Sequence, residues 1–171
     1  MKNRKIALMV GCAVGSVLLA VVVLLAWRSF KPIVPAPLVN YTTLQGEKLS
    51  TESLRGSVYL VNFWATTCTT CVAEMPELSA TYNKYQAQGF KIIAVAMQHD
   101  RPDYVVNFAQ DRKLPFTVAL DLDGQLAESF NKVIMTPTTF VVDKQGKILK
   151  RYLGTPNFNQ LHALIEQALA T

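Results

Sequence analysis

Residues 58–76 read VYLVNFWATTCTTCVAEMP. The first eight, Val58–Ala65, are apolar apart from Asn62 and rich in β-branched and aromatic side chains. That is the composition of a strand covered on both faces. From Thr69 the pattern turns helical and runs to about Gln88, where Gly89 offers a stop. Pro76 falls inside this helix and is expected to kink it, because its nitrogen has no proton to donate. Cys68 and Cys71 sit where strand gives way to helix.

A helix beginning at Thr69 puts Cys68 at its N-terminus and Cys71 one turn further in. Residues three apart share a helix face, with Cβ atoms roughly 5–6 Å apart. A disulfide needs them at about 4 Å, so a small adjustment closes one. The two sulfurs are not equivalent. Cys68 faces the unpaired N–H groups and the positive end of the helix dipole, which favour a thiolate. Cys71 lies deeper. Cys68 is therefore the expected nucleophile and Cys71 the resolving thiol. A metal site and two inert buried thiols are the competing readings. Tetrahedral zinc needs four ligands, and the chain has no second cysteine pair. Inert thiols have no need of a helix start.

Beyond this stretch, FKIIAVAM (90–97) reads as a second buried strand, DYVVNFAQDRKL (103–114) as a helix, FTVALD (116–121) as a short strand and GQLAESFNKV (124–133) as a short helix. TTFVVDKQGKILKRYLG (138–154) reads as two strands about a turn at Lys144–Gly146. NFNQLHALIEQALA (157–170) is an amphipathic helix with Phe158, Leu161, Leu164, Ile165 and Leu169 on one face. Before the cysteines, NYTTLQGEKLSTESLRG (40–56) suggests a small hairpin turning at Gln45–Gly46. Early strand–helix alternation implies parallel pairing, and the closing hairpin makes the sheet mixed.

The N-terminus has another character. Ile6 to Trp27 are 22 uncharged residues, enough to span a hydrocarbon layer of about 30 Å as a helix. Lys2, Arg4 and Lys5 precede the run, while Arg28 and Lys31 follow it. This bias favours a cytoplasmic N-terminus and an exported remainder. The run is longer than the core of a cleaved signal peptide, and no small-x-small cleavage site closes it. Cys12 follows too short an apolar stretch for a lipoprotein box and reads as a small apolar residue facing lipid. The expected division is a cytoplasmic N-terminus (1–5), a transmembrane anchor (6–27), a proline-rich tether (28–37, with Pro32, Pro35 and Pro37) and a domain over 38–171.

The net charge of +5 overstates how basic the exported part is. All 12 acidic residues and 14 of the 17 basic ones follow the anchor, leaving 14 against 12. Nucleic-acid binding has no electrostatic footprint there. A domain of 134 residues buries a core without disulfide staples, so one close cysteine pair reads as chemistry rather than scaffolding.

The buried strand, FWATTC, the CTTC pair, the proline five residues after Cys71, and MTPTTFVVD (135–143) together resemble the thioredoxin-like fold, an α/β architecture whose central mixed sheet is flanked by helices. With its long N-terminal apolar run and Glu74, the chain is most similar to the membrane-anchored TlpA/ResA-type thiol:disulfide oxidoreductases. The resemblance covers residue 38 to the C-terminus. It implies that Cys68 attacks, that Cys71 is the buried partner, and that the Thr136–Pro137 bond is cis and faces the cysteines, with the backbone of Thr136 pairing with substrate. It also places Trp64 beside the substrate. An ordinary strand-entry proline is the plainer reading of Pro137. Thioredoxins proper carry an aspartate where this chain has Asn62, which cannot take a proton. Glu74, three residues beyond Cys71, can approach it on the same helix face, and burial lets a carboxylate exchange protons near neutrality. A solvated first-turn glutamate is the plainer reading there. Two departures stand out. Thr67 replaces a tryptophan, and Thr69–Thr70 replace a proline-containing dipeptide. A neutral Thr-Thr pair implies a moderate thiolate and a reducing to intermediate potential.

A rival comes from another class. His99, at the end of the strand ending in Met97, could approach the cysteines and make a copper(I) site of soft ligands, as in copper chaperones of this fold, although their cysteines are spaced by three residues. A surface-loop histidine is the plainer reading. His162 lies on the terminal helix, exposed or packed. The pattern of a peroxiredoxin is not met before Cys68. A purely structural domain would leave the cysteine pair without a use.

The sequence thus predicts a bacterial protein crossing the inner membrane once, its C-terminal domain in the periplasm or outside. It would reduce protein disulfides through Cys68 and Cys71, with Glu74 as proton acceptor, no cofactor, and a membrane electron donor to reset it. Cysteines of apocytochrome c or of a copper site are the substrates that the resemblance implies.

Overall fold

The computed structural model describes residues 34–171, so the anchor over 6–27 and Cys12 lie outside the described residues. Among the described residues no helix is long and apolar enough to cross a membrane. Strands β1 (Asn40–Thr42) and β2 (Lys48–Ser50) form the antiparallel hairpin expected about Gly46, whose φ of 82° favours glycine. A 3₁₀ turn, Thr51–Leu54, follows, which the sequence reading did not anticipate.

The main body is a five-stranded sheet in the order β5–β4–β3–β6–β7. Its strands are β3 (Tyr59–Trp64), β4 (Lys91–Ala96), β5 (Thr117–Leu120), β6 (Thr138–Val142) and β7 (Ile148–Leu153). β3, β4 and β5 run parallel, β6 antiparallel to β3, and β7 antiparallel to β6. The mixed sheet is the one expected from alternation followed by a hairpin. Among the described residues four helices pack on it: α1 (Thr69–Tyr85), α2 (Pro102–Asp111), α3 (Gln125–Ser129) and α4 (Phe158–Ala170).

The pleat sorts the sheet's side chains onto two faces. Leu60 and Trp64 of β3, Ile92, Ala94 and Ala96 of β4, and Val141 of β6 meet Met75 and Leu78 of α1, Val105 of α2, and Leu161 and Ile165 of α4. Tyr59, Val61 and Phe63 face the other way, with Ile93, Val95 and Phe140, and are covered by Leu126 and Phe130 from the α3 region and by Tyr41 and Leu54 from the N-terminal segment. β3 is buried along its whole length because it is the central strand with both faces covered.

α1 runs through Pro76, whose missing N–H deprives the Val72 carbonyl of its helical donor. After Tyr85 the chain tightens into a 3₁₀ turn, Gln86–Gln88, and ends at Gly89 in the left-handed conformation. Val34 to Ala36 lie along the β6–β7 hairpin, with Ala36 N–H donating to Gly146 O at 2.8 Å and Ile148 N–H to Val34 O at 2.8 Å. α3 is short and starts after Gly124, yet its start is fixed by a buried carboxylate. Asp121 accepts from the N–H groups of Leu126 (3.0 Å) and Ala127 (2.9 Å). Asp121→Ala should strand both donors and lower stability by about 2 kcal/mol, read from the urea midpoint. An unchanged midpoint would show that the turn holds without this cap.

Candidate active site

β3 ends at Trp64 and α1 starts at Thr69, so four residues turn the chain from strand to helix. Cys68 is the N-cap of α1, with extended backbone (φ −89°, ψ 102°), and its sulfur accepts from the Cys71 N–H at 3.2 Å. Sulfur thus occupies the place where serine or aspartate oxygen commonly caps a helix. Cys68 and Cys71 are joined by a disulfide, with Cα atoms 5.2 Å apart. Cys71 is fully buried, whereas Cys68 is partly exposed. The asymmetry expected from the sequence is present.

The loop before Cys68 is held by a residue that the sequence reading passed over. Asp100, buried in the loop after β4, accepts from the Thr66 N–H at 2.5 Å and the Thr66 hydroxyl at 2.6 Å. Both carboxylate oxygens are used, and both bonds end two residues before Cys68. Cys68 N–H donates to Ala65 O at 3.1 Å and closes the turn.

Glu74 lies on α1 one turn beyond Cys71 and is 2 % exposed. Its Oε1 accepts from Asn62 Nδ2 at 2.9 Å, and the same amide donates to the Thr139 hydroxyl at 2.9 Å. Asn62 stands opposite Thr139 in the β3–β6 ladder, so the three polar groups form one buried row beneath α1. Asn62 Oδ1 and Glu74 Oε2 are buried without a well-formed hydrogen bond among the described residues. Burial raises the Glu74 carboxyl above the ordinary glutamate range; the bond from Asn62 and the nearby Thr155 hydroxyl oppose this only in part. This is not a solvated first-turn glutamate.

The Thr136–Pro137 peptide bond is cis. Thr138 pairs with Phe63, so this bond sits at the end of the sheet where β3 runs out toward Cys68. Ile134 and Met135, just before it, are 85 % and 58 % exposed. Trp64 departs from expectation. It is fully buried, with its ring 5.2 Å from that of Phe108, and offers a substrate no surface. Its place at the end of a doubly covered central strand sends it into the core beneath the cysteine loop.

His99 is exposed in the loop after β4. Among the described residues no three or more His, Cys, Asp or Glu side chains converge as metal ligands, so no observation favours the copper reading. His162 is partly buried on α4, its Nε2 2.9 Å from the Thr81 hydroxyl on α1.

Comparison with known proteins agrees with this geometry. The family described as Redoxin matches residues 22–165. The thiol-disulfide oxidoreductase ResA of Bacillus thuringiensis is 35 % identical over 133 residues, 77 % of this chain and 75 % of that one. The solution structure of a Neisseria meningitidis protein described as a thioredoxin superposes with a TM-score of 0.75 at 37 % identity, covering 80 % of this chain and 90 % of that one. The crystal structure of StoA from Bacillus subtilis superposes at 0.64 and 28 % identity, covering 77 % and 98 %.

Two outcomes follow from the site's packing. A carboxyl whose pKa is higher folded than unfolded binds its proton more tightly in the native state. The protein therefore keeps its full stability below the unfolded pKa and loses part of it as pH rises toward the folded one. Glu74→Gln should melt a few degrees higher than the parent at pH 7.5 and equally at pH 4, which calorimetry reads; equal melting at both would mean Glu74 is not destabilised by its site. Asp100→Ala should speed amide exchange at Thr66 by about tenfold or more, resolved by NMR. No change there would remove Asp100 from the account of the loop.

Proposed function

The chain belongs to the redoxin family and is a ResA-like thiol-disulfide oxidoreductase, and from that premise we propose that it is a membrane-anchored reductant of protein disulfides outside the cytoplasm. The observation that carries the reading is Glu74, a carboxyl buried one turn beyond a buried resolving cysteine. Such a group serves a step in which Cys71 must lose a proton in a place that water does not reach.

In the reducing direction the Cys68 thiolate attacks one sulfur of a substrate disulfide. The other substrate sulfur leaves as a thiolate and takes a proton from solvent. Cys71 then passes its proton to the Glu74 carboxylate and attacks the Cys68 sulfur. That forms the Cys68–Cys71 disulfide and releases the second substrate thiolate. Two electrons have moved from the dithiol to the substrate, and the product is the bonded pair seen here. The raised affinity of Glu74 for a proton suits this transfer near neutral pH.

The substrate meets the end of the sheet where Cys68 and the Thr136–Pro137 bond lie, with the backbone of Thr136 pairing with an extended chain. The exposed Ile134 and Met135 give that chain apolar contacts. The cysteine pairs of an apocytochrome c or of a copper-site protein are the proposed substrates. The uncharged segment 6–27 anchors the chain once in a bacterial inner membrane, and residues 28–33 tether it, a shorter tether than expected because Val34 to Ala36 are bonded to the β6–β7 hairpin; the domain faces the periplasm or cell exterior. Reductases of the cytoplasm cannot reach it there, so a membrane protein with its own thiols returns the two electrons.

Cys71→Ser should halt the reaction at the mixed disulfide. Non-reducing gels after acid quenching would show the chain bonded through Cys68 to its substrates in cells. The adducts should vanish when Cys68→Ser is added. Protease applied to spheroplasts should remove the domain while leaving a membrane-embedded fragment. Adducts that persist without Cys68, or a domain protected inside spheroplasts, would overturn the reading.

A further inference from the structure

Two donors converge on the Cys68 sulfur. One is the Cys71 N–H of the first helical turn, at 3.2 Å. The other comes from the side chain of Thr70, whose hydroxyl oxygen lies 3.4 Å from the same sulfur. A disulfide sulfur carries no hydrogen, so in this state Thr70 must be the donor. We propose that the Thr70 hydroxyl is a catalytic donor to Cys68, holding its sulfur as a thiolate during attack and as the leaving group when the pair is reopened.

The backbone makes the contact persistent. Cys68 caps α1 and Thr70 is its second residue, so both are placed by the same first turn. Reduction breaks the S–S bond but leaves the Cys68 side chain attached at the cap, within reach of both donors. The acceptor then changes from a neutral sulfur to an anion, and a hydrogen bond to a charged acceptor is roughly twice as strong as one to a neutral acceptor. The hydroxyl therefore favours the thiolate over both the disulfide and the protonated thiol. Thr70 is exposed, so water competes and the gain stays below that of a buried bond. No other side chain among the described residues donates a hydrogen bond to this sulfur. The proposal concerns the sulfur alone and holds whichever way electrons flow.

Thr70→Val removes the donor and keeps the shape, while Thr70→Ser keeps the donor. Each full-length variant, reduced and held in mild detergent, is alkylated with iodoacetamide from pH 5 to 10. Modification of Cys68 is resolved from that of Cys71 and Cys12 by fragmentation mass spectrometry. The midpoint of the rate profile is the readout. A rate at one pH is a poorer one, because a less acidic thiol is intrinsically more nucleophilic and hides part of the loss. Thr70→Val should move the midpoint upward by about 0.5–1 pH unit, which is about three- to tenfold less thiolate at a pH below it. Thr70→Ser should stay with the parent. A Val variant that titrates like the parent would overturn the proposal. So would a Ser variant displaced as far as Val, since that shift would come from packing. Because the side chain is exposed, far-UV circular dichroism should show all three folded alike.

Discussion

The first turn of an α-helix leaves N–H groups without partners. In α1 the Cys71 N–H, one of these, is taken by a sulfur. That one contact ties the chemistry to the fold. It places the Cys68 sulfur in the most positive part of the helix field, and it keeps it partly exposed while Cys71 goes into the core. The cap exists only because a central strand and a long helix are joined by four residues, with no slack for Cys68 to go elsewhere. Asp100 removes what slack remains by gripping Thr66. The cysteine pair is thus located by sheet, helix and a distant loop together.

A second constraint lies beneath it. Between α1 and the sheet, Asn62, Thr139 and Glu74 form a polar row in a largely apolar layer. An ionised carboxylate there is costly, and one hydrogen bond from an amide does not replace its lost water. The site tolerates the group because a carboxyl can take a proton. Asn62, which cannot, acts as its partner: its NH₂ bridges Glu74 to Thr139 and fixes the acid relative to the sheet. The destabilisation of the charged form is what would let Glu74 receive a proton from Cys71 in the proposed reaction.

How much of this was legible in the sequence depended on distance along the chain. β3, α1, the mixed sheet and the cysteine asymmetry follow from periodicity and from a three-residue spacing, both local. Glu74 could be placed on the face of Cys71 for the same reason. Its bond to Asn62 spans 12 residues and depends on how α1 lies on the sheet, which no local pattern reports. Asp100 reaches Thr66 across 34 residues, a pairing that no local pattern reports; its place just after a parallel strand, at the sheet edge that carries the cysteines, was the signal available. The cis Thr136–Pro137 bond came from resemblance, not from spacing. Trp64 lies in the core because the burial that a central strand imposes outweighs its position in the motif.

Equilibration of the full-length chain with glutathione or dithiothreitol buffers tests most directly whether the Cys68–Cys71 dithiol gives electrons to protein disulfides. A neutral Thr-Thr pair, whose one exposed hydroxyl stabilises the Cys68 thiolate only modestly, predicts a potential below about −220 mV, on the side of thioredoxin, near about −270 mV. A value above about −150 mV, toward the strong oxidants near about −120 mV, would contradict the account: the pair would then donate disulfides, and the direction of every step above would be reversed.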